Sequence, residues 1–284
     1  MTAGPNVPLA QTVDKSGFPF QLAVERELRR LGRLHSWPLV ATEVPVGETF
    51  ADLVLQQQGL LGIVECKRVE DEKWFFLVPK GSSANVARCR TEWRNPRATT
   101  SGRMMAMAIH VTKLFCTECT MAEGSYEASV CVVPKGKALT SLEAACGDVL
   151  TKVHTLGDKF ELKYDDGPTY LIPIIVTNAD LCVCEYVPDG LDINRGHIGA
   201  AEFKSVDFIR FRKTLVTRSS NDYEWDRQVT LGEWTTDRER TVFIVNPRGL
   251  NQFLSGFRAF KPSSGKNHPD EFENPPEYGD GSRR

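Results

Sequence analysis

The sequence lacks any uninterrupted apolar stretch of about eighteen residues, the length that a membrane-spanning helix needs. Its first residues lack the basic start and following apolar segment that are typical of a secretory signal. Walker-type and dinucleotide-binding glycine patterns are also missing, which argues against nucleotide-driven activity. We therefore expect a cytoplasmic protein that has no membrane partner.

The chain also has little net charge. Its 35 lysine and arginine residues nearly balance 37 acidic residues, so any binding of nucleic acid would depend on local basic patches. Hydrophobic residues make up 41% of the 284 residues, which is enough for a sizeable core. Eight cysteines, several of them inside apolar runs, fit reduced and buried thiols better than a disulfide framework.

An amphipathic helix is predicted over residues 19 to 31, after a loose arm at residues 1 to 16. Pro19 suits the first turn of this helix, and Gly32 suits its end. Charged residues separate apolar residues that recur at helical spacing: Phe20, Val24, Leu28 and Leu31.

Three short apolar runs follow and predict strands at residues 39 to 46, 50 to 55 and 60 to 66. The second and third runs are apolar at almost every position, as is typical of strands that are buried on both faces of a sheet. Gln58-Gly59 separates them, and glycine can adopt the positive φ that a tight hairpin needs. The pair is therefore predicted to form a central hairpin.

This hairpin would bring two carboxylates together. With Gln58-Gly59 as the turn, antiparallel pairing places Asp52 directly opposite Glu65, on the same face and with Cβ atoms about 5 Å apart. Lys67 lies two residues beyond Glu65 and therefore points to that face as well.

Burial of two carboxylates and an ammonium on a central sheet is costly unless the groups are paired or hold a metal ion. Mg²⁺ favours one or two carboxylates together with water and a substrate phosphate. Such a cation would lower the pKa of water and offset the charge that develops during phosphodiester hydrolysis. Lys67 could orient or deprotonate the water, or stabilise the transition-state charge.

The order of these residues resembles a known family signature. Asp52, twelve intervening residues and then Glu65-Cys66-Lys67 look like the D…(D/E)xK motif of the PD-(D/E)xK, or restriction-endonuclease-like, nuclease superfamily. The resemblance implies that Asp52 and Glu65 are catalytic ligands of Mg²⁺ or Mn²⁺ and that Lys67 is the catalytic lysine. It also suggests the main-chain carbonyl of Cys66 as a metal ligand.

Two further positions bear on the resemblance. Many members of the superfamily add an acid on the first helix, and Glu25 is the candidate for this catalytic position, with Gln21 one turn earlier able to share the role. Ala51 replaces the proline in the name of the family, which is a common variation.

The superfamily core runs helix, three strands, helix, strand, and the predicted order over residues 17 to 190 is similar. The resemblance implies an α/β fold, a restriction-endonuclease-like core with a mixed central sheet flanked by helices. An insertion at about residues 70 to 130 and a small C-terminal appendage at residues 191 to 260 would accompany it. A disordered tail is expected at residues 261 to 284, where apolar residues are few.

The remaining elements are read from local pattern. Residues 80 to 103 are predicted as a loop and residues 104 to 115 as helical. The later elements are a helix at residues 139 to 156, strands near 128 to 133, 170 to 177, 181 to 187, 206 to 215 and 241 to 245, and a helix at residues 248 to 257.

An arginine-rich stretch over residues 88 to 103 could follow a phosphate backbone and stack a base, although a solvated loop is the alternative interpretation. Its candidate nucleic-acid-binding residues are Arg88, Arg90, Trp93, Arg94 and Arg97.

The sequence thus predicts a metal-dependent nuclease, and the resemblance favours DNA over RNA. A homodimer or a larger defence or repair complex would suit such an enzyme, by analogy alone. One alternative is a catalytically inactive nucleic-acid-binding or structural protein of the same fold, with the charged residues as a buried ion-pair cluster. Another is a hydrolase of a different phosphate ester.

Overall fold

The structure is a computed structural model, and within its described residues the chain is a mixed α/β protein. The described residues are 13, 16–57, 60–70, 72–81, 89–95, 110–116, 126–134, 137–159, 169–214 and 239–257. The helices are α1 (Phe18–His35), α2 (Lys137–Lys159) and α3 (Leu250–Gly256), with short 3-10 turns at Pro188–Gly190 and Pro247–Gly249. The strands are β1 (Leu39–Val46), β2 (Thr49–Gln57), β3 (Leu60–Lys67), β4 (Lys73–Pro79), β5 (Cys89–Asn95), β6 (His110–Cys116), β7 (Glu127–Ala128), β8 (Val130–Val132), β9 (Thr169–Thr177), β10 (Asp180–Tyr186), β11 (Leu191–Asp192), β12 (His197–Ile198), β13 (Ala201–Val206), β14 (Phe208–Thr214) and β15 (Glu239–Val245).

Within the described part of the chain, the large sheet is mixed and has nine strands, in the order β1-β2-β3-β9-β15-β14-β7, with β5 paired to β9 and to β6. The antiparallel unit β1-β2-β3 joins β9 in parallel, and β9 joins β15 in parallel. A smaller sheet has the order β13-β10-β4-β8. The prediction of a mixed sheet flanked by helices is therefore confirmed at this level.

The two faces of the large sheet carry separate cores. The aliphatic face of α2 packs with Leu61 and Ile63 of β3 on one side. The apolar face of α1 packs with Leu60 and Val64 of the same strand on the other, together with α3. Alternate residues of β3 thus point to opposite helices, as the period of an extended strand requires.

Helix α1 runs past Gly32 to His35, so the predicted end at Gly32 is wrong by three residues. The reason that glycine stands there is a close approach of the backbone. A Cβ atom on Gly32 would lie 2.2 Å from the carbonyl oxygen of Trp37, while the Trp37 N–H donates to the Gly32 carbonyl at 2.8 Å. Ser36, in the left-handed region with φ 60°, ends the helix.

Two local predictions are wrong. Strand β5 lies within the predicted loop at residues 80 to 103, and β6 lies within the predicted helix at residues 104 to 115. The segment of β6 is rich in β-branched and aromatic residues, and β5 pairs with both β6 and β9. Pairing of β6 with β5, which itself joins the sequence-distant β9, therefore overrode the helical pattern.

The predicted C-terminal appendage is also wrong as a description of residues 208 to 257. Strand β15 lies between β9 and β14 inside the large sheet, and α3 contributes buried side chains to the core beside α1. The segment predicted as an insertion at about residues 70 to 130 contributes strands to both sheets. The predicted arm, except for residues 13 and 16, and the tail at residues 261 to 284 lie outside the described residues.

None of the helices among the described residues is long and apolar enough to cross a membrane.

Candidate active site

The β2–β3 hairpin has the predicted register. Leu53 pairs with Val64 and Gln57 pairs with Leu60, so Asp52 and Glu65 occupy the next opposed positions. The two turn residues of the hairpin lie outside the described residues.

Beyond the last backbone-paired residues, a hydrogen bond from the backbone of β3 to a side chain of β2 joins the two strands. The backbone N–H of Cys66 donates to Oδ2 of Asp52 at 2.7 Å. This bond orients the Asp52 carboxylate toward β3, next to Glu65.

Glu65 meets a lysine from α2. The Lys152 ammonium donates to Oε2 of Glu65, and the exposed fractions of the two side chains are only 8% and 18%. Lys152 lies three residues after Val149 and four before Leu156, both buried in the core under α2. Sequence reasoning missed this residue, although a lysine inside an apolar helical stripe was the available signal.

The pKa values of both carboxylates at this site are raised. Burial is the largest cause of the raised pKa of Glu65, and the charges of Asp52 and Asp148 raise it further, against the opposing effect of Lys152. Burial likewise raises the pKa of Asp52, against the Cys66 N–H and Lys152, and the charge of Glu43 adds to the rise. Burial, more than any neighbouring charge, therefore disfavours the ionised form of both carboxylates.

The Cys66 side chain is half-buried and packs against the α1 core. Burial raises the pKa of its thiol, and the negative charges of Asp52, Glu65, Glu43 and Glu25 add to that rise. The thiol therefore stays protonated, and a metal-binding role for Cys66 is limited to its main chain, as the sequence prediction had it.

The two candidate residues of the first helix, Glu25 and Gln21, make different contacts. Glu25 accepts two hydrogen bonds from Arg29, at 2.8 and 2.9 Å. Gln21 instead donates to Glu43, whose charge acts on Asp52. Glu43 has φ 50°, an uncommon conformation for a residue with a Cβ atom. A role for Glu25 at the metal stays a prediction.

Lys67 ends β3, where it is half-buried and pairs with Thr177 of β9. Strand alternation puts its side chain on the face of Glu65. No described residue forms an ion pair with Lys67. Lys67 therefore differs from Lys152, whose ammonium forms an ion pair with Glu65.

The predicted nucleic-acid-binding residues cannot be assigned contacts. Arg88 and Arg97 lie outside the described residues. Arg90, Trp93 and Arg94 lie on β5, of which the structure describes only the backbone. Their binding role stays a prediction.

The donor set suits a hard cation that is only partly held by protein. Among the described residues, no group of three or more His, Cys, Asp or Glu side chains is arranged to hold a metal ion. Asp52 and Glu65 are two adjacent carboxylates, and Mg²⁺ uses one or two carboxylates where water and a substrate phosphate complete its shell. Comparison with known proteins adds no assignment, because no family model, curated protein or solved structure matches the chain.

Proposed function

We propose that this protein is a Mg²⁺- or Mn²⁺-dependent nuclease that hydrolyses phosphodiester bonds in nucleic acid, with DNA as its preferred substrate. The observation that carries the proposal is the meeting of Asp52 and Glu65 at one end of a central hairpin, where the pKa of each carboxyl is raised. A cation would offset the cost of placing two charged, partly buried carboxylates side by side.

The order of elements supports a restriction-endonuclease-like core. Helix α1, strands β1 to β3, helix α2 and strand β9 follow one another in the helix, three strands, helix, strand order of that superfamily, with β4 to β8 between β3 and α2. Strand β9 joins the sheet beside β3 and parallel to it, so the motif strand is central.

The roles of the residues follow from their positions. Asp52 and Glu65 would hold the cation, and the Cys66 N–H keeps the Asp52 carboxylate turned toward β3. A bound cation would supply Lewis-acid charge for the reacting phosphate and lower the pKa of water. Lys67, on the same face, would orient or deprotonate the attacking water or stabilise the charge on the phosphate.

The decisive experiment compares cleavage of plasmid, linear single-stranded DNA and RNA with Mg²⁺ or Mn²⁺ and with EDTA. Asp52→Asn and Lys67→Ala should each abolish metal-dependent cutting of DNA and remain folded. Asparagine keeps an oxygen that can accept from the Cys66 N–H but loses the charge. Lys73→Ala is the matched control, because Lys73 is an exposed lysine on β4 of the smaller sheet. If both site variants cut as well as the natural chain, the nuclease assignment is wrong.

A structural role for the cluster is the second candidate, and the Lys152–Glu65 pair is the observation that favours it. A cluster that only holds α2 against β3 should bind Mn²⁺ poorly and gain no thermal stability from it. Absence of both cutting and Mn²⁺ binding in the natural chain would support this candidate over the nuclease.

A further inference from the structure

We infer that Lys152 is an internal counter-ion that competes with the divalent cation for Glu65, so that metal binding releases its ammonium from the carboxylate. This inference rests on the proposed function, since it concerns the same two-carboxylate site. In the metal-free protein, Lys152 would then occupy Glu65 as its ion-pair partner. The affinity for the metal would be lower than the two carboxylates alone would provide.

The first support is the place of Lys152 in α2. Along the buried face of this helix every other described side chain is apolar, and Lys152 is itself buried. The apolar residues of that face are Leu142, Ala145, Cys146, Val149, Leu150, Val153 and Leu156. A lysine in such a position is costly to bury, and its ammonium contacts the proposed metal ligand Glu65.

The second support is the charge around Lys152. Its ammonium contacts Glu65 and also acts on Asp52, while Asp148 lies one turn earlier on α2 and acts on Glu65. The ammonium thus lies among the carboxylates to which a cation would bind. A divalent cation and an ammonium on one carboxylate repel each other, so each weakens the binding of the other.

The test measures Mn²⁺ affinity from the free-ion signal in electron paramagnetic resonance, and thermal stabilisation by Mn²⁺ in parallel. Lys152→Met removes the charge and keeps an unbranched side chain. We expect it to bind Mn²⁺ at least about tenfold more tightly than the natural chain, because one competing charge has gone. Lys204→Met is the matched control, since Lys204 pairs with Glu185 on the smaller sheet, and its Mn²⁺ affinity should equal that of the natural chain.

The double variant Lys152→Met with Glu65→Gln removes both partners and should lose the gain in affinity. Equal or weaker binding of Mn²⁺ by Lys152→Met would overturn the inference. If the natural chain cuts DNA but Lys152→Met does not bind Mn²⁺ more tightly, the proposed function stands and only the inference fails. If neither protein binds Mn²⁺, both fail, and if only Lys152→Met binds, the inference stands while the nuclease assignment does not.

A measurement on the natural chain guards against a variant that fails to fold. Acylation of lysines, followed by mass spectrometry, reports how accessible each ammonium is. Lys152 should be protected in the metal-free protein and should react faster when Mn²⁺ is added, while Lys204 should react at the same rate in both. An unchanged or slower reaction of Lys152 in a protein that binds Mn²⁺ would contradict its release.

Discussion

Two of the glutamate–lysine pairs among the described residues, one on each of the two larger sheets, invite comparison. On the large sheet, Glu65 contacts Lys152 across β3 and α2, and the exposed fraction of the lysine is 8%. On the smaller sheet, Glu185 contacts Lys204 across β10 and β13, and the exposed fraction of the lysine is 45%. The same two residue types thus meet in very different surroundings.

The neighbouring groups shift the pKa values at the two pairs in different ways. Beside Lys204, a hydrogen bond to Glu185 raises the pKa of the lysine, and the nearby Glu202 has a lowered pKa because of Lys80 and Lys204. Both shifts favour the charged forms, as in an ordinary ion pair. At Glu65, burial and two neighbouring acids raise the pKa in spite of Lys152. Burial thus disfavours the charged form of Glu65, and a bound cation would favour that form.

The largest expected effect is on cleavage. Glu65→Gln should lower metal-dependent cutting of DNA by at least about a hundredfold, because loss of a metal ligand should exceed the typical effect of an outer-shell mutation. Glu185→Gln, which removes one of the two carboxylates that pair with Lys204, should leave cutting unchanged. Initial rates at saturating Mn²⁺ measure both. Equal losses in the two variants would remove the distinction between the sites.

The next effect is on stability in the absence of metal. Glu65→Gln leaves the buried Lys152 ammonium without a charged partner, and should lower the free energy of unfolding by about 3 kcal/mol. Glu185→Gln should cost much less, since Lys204 reaches solvent. Urea unfolding in EDTA gives both values. A larger loss in Glu185→Gln would reverse the comparison.

A smaller effect concerns pH. Because the pKa of Asp52 is raised in the folded protein, its contribution to stability is present below the ordinary aspartate pKa and is lost as pH rises through the raised value. Asp52→Asn carries no such charge. Its melting temperature in EDTA should therefore rise relative to that of the natural chain as pH increases from about 4 to neutral. A constant difference across this range would show that burial does not disfavour the Asp52 charge.

The smallest effect is at the surface. Lys80 and Glu202 form an ion pair at 3.1 Å, with exposed fractions of 58% and 56%. Water screens such a pair, so Lys80→Met should leave urea unfolding unchanged. A loss as large as that of Glu65→Gln would mean that contact between opposite charges, rather than burial, decides stability here.

The elements that were predicted correctly are those whose signal lies within one short stretch of the chain. The apolar period of α1 and the two-residue gap between β2 and β3 predicted a helix and a hairpin, and the observed register follows from that gap. The strands β5 and β6 were missed because they form by pairing with each other and with β9, whose sequence lies far away.

The sequence by itself determined that Asp52, Glu65 and Lys67 share one face of a central hairpin, since strand alternation and the turn length leave no other arrangement. Only the tertiary structure decided what those residues meet. The packing of α2 on β3 brings Lys152 to Glu65, and the hydrogen bond from Gln21 to Glu43 links α1 to the strand beside Asp52. Such contacts depend on how helices lie against a sheet, and neither spacing nor composition encodes that geometry directly.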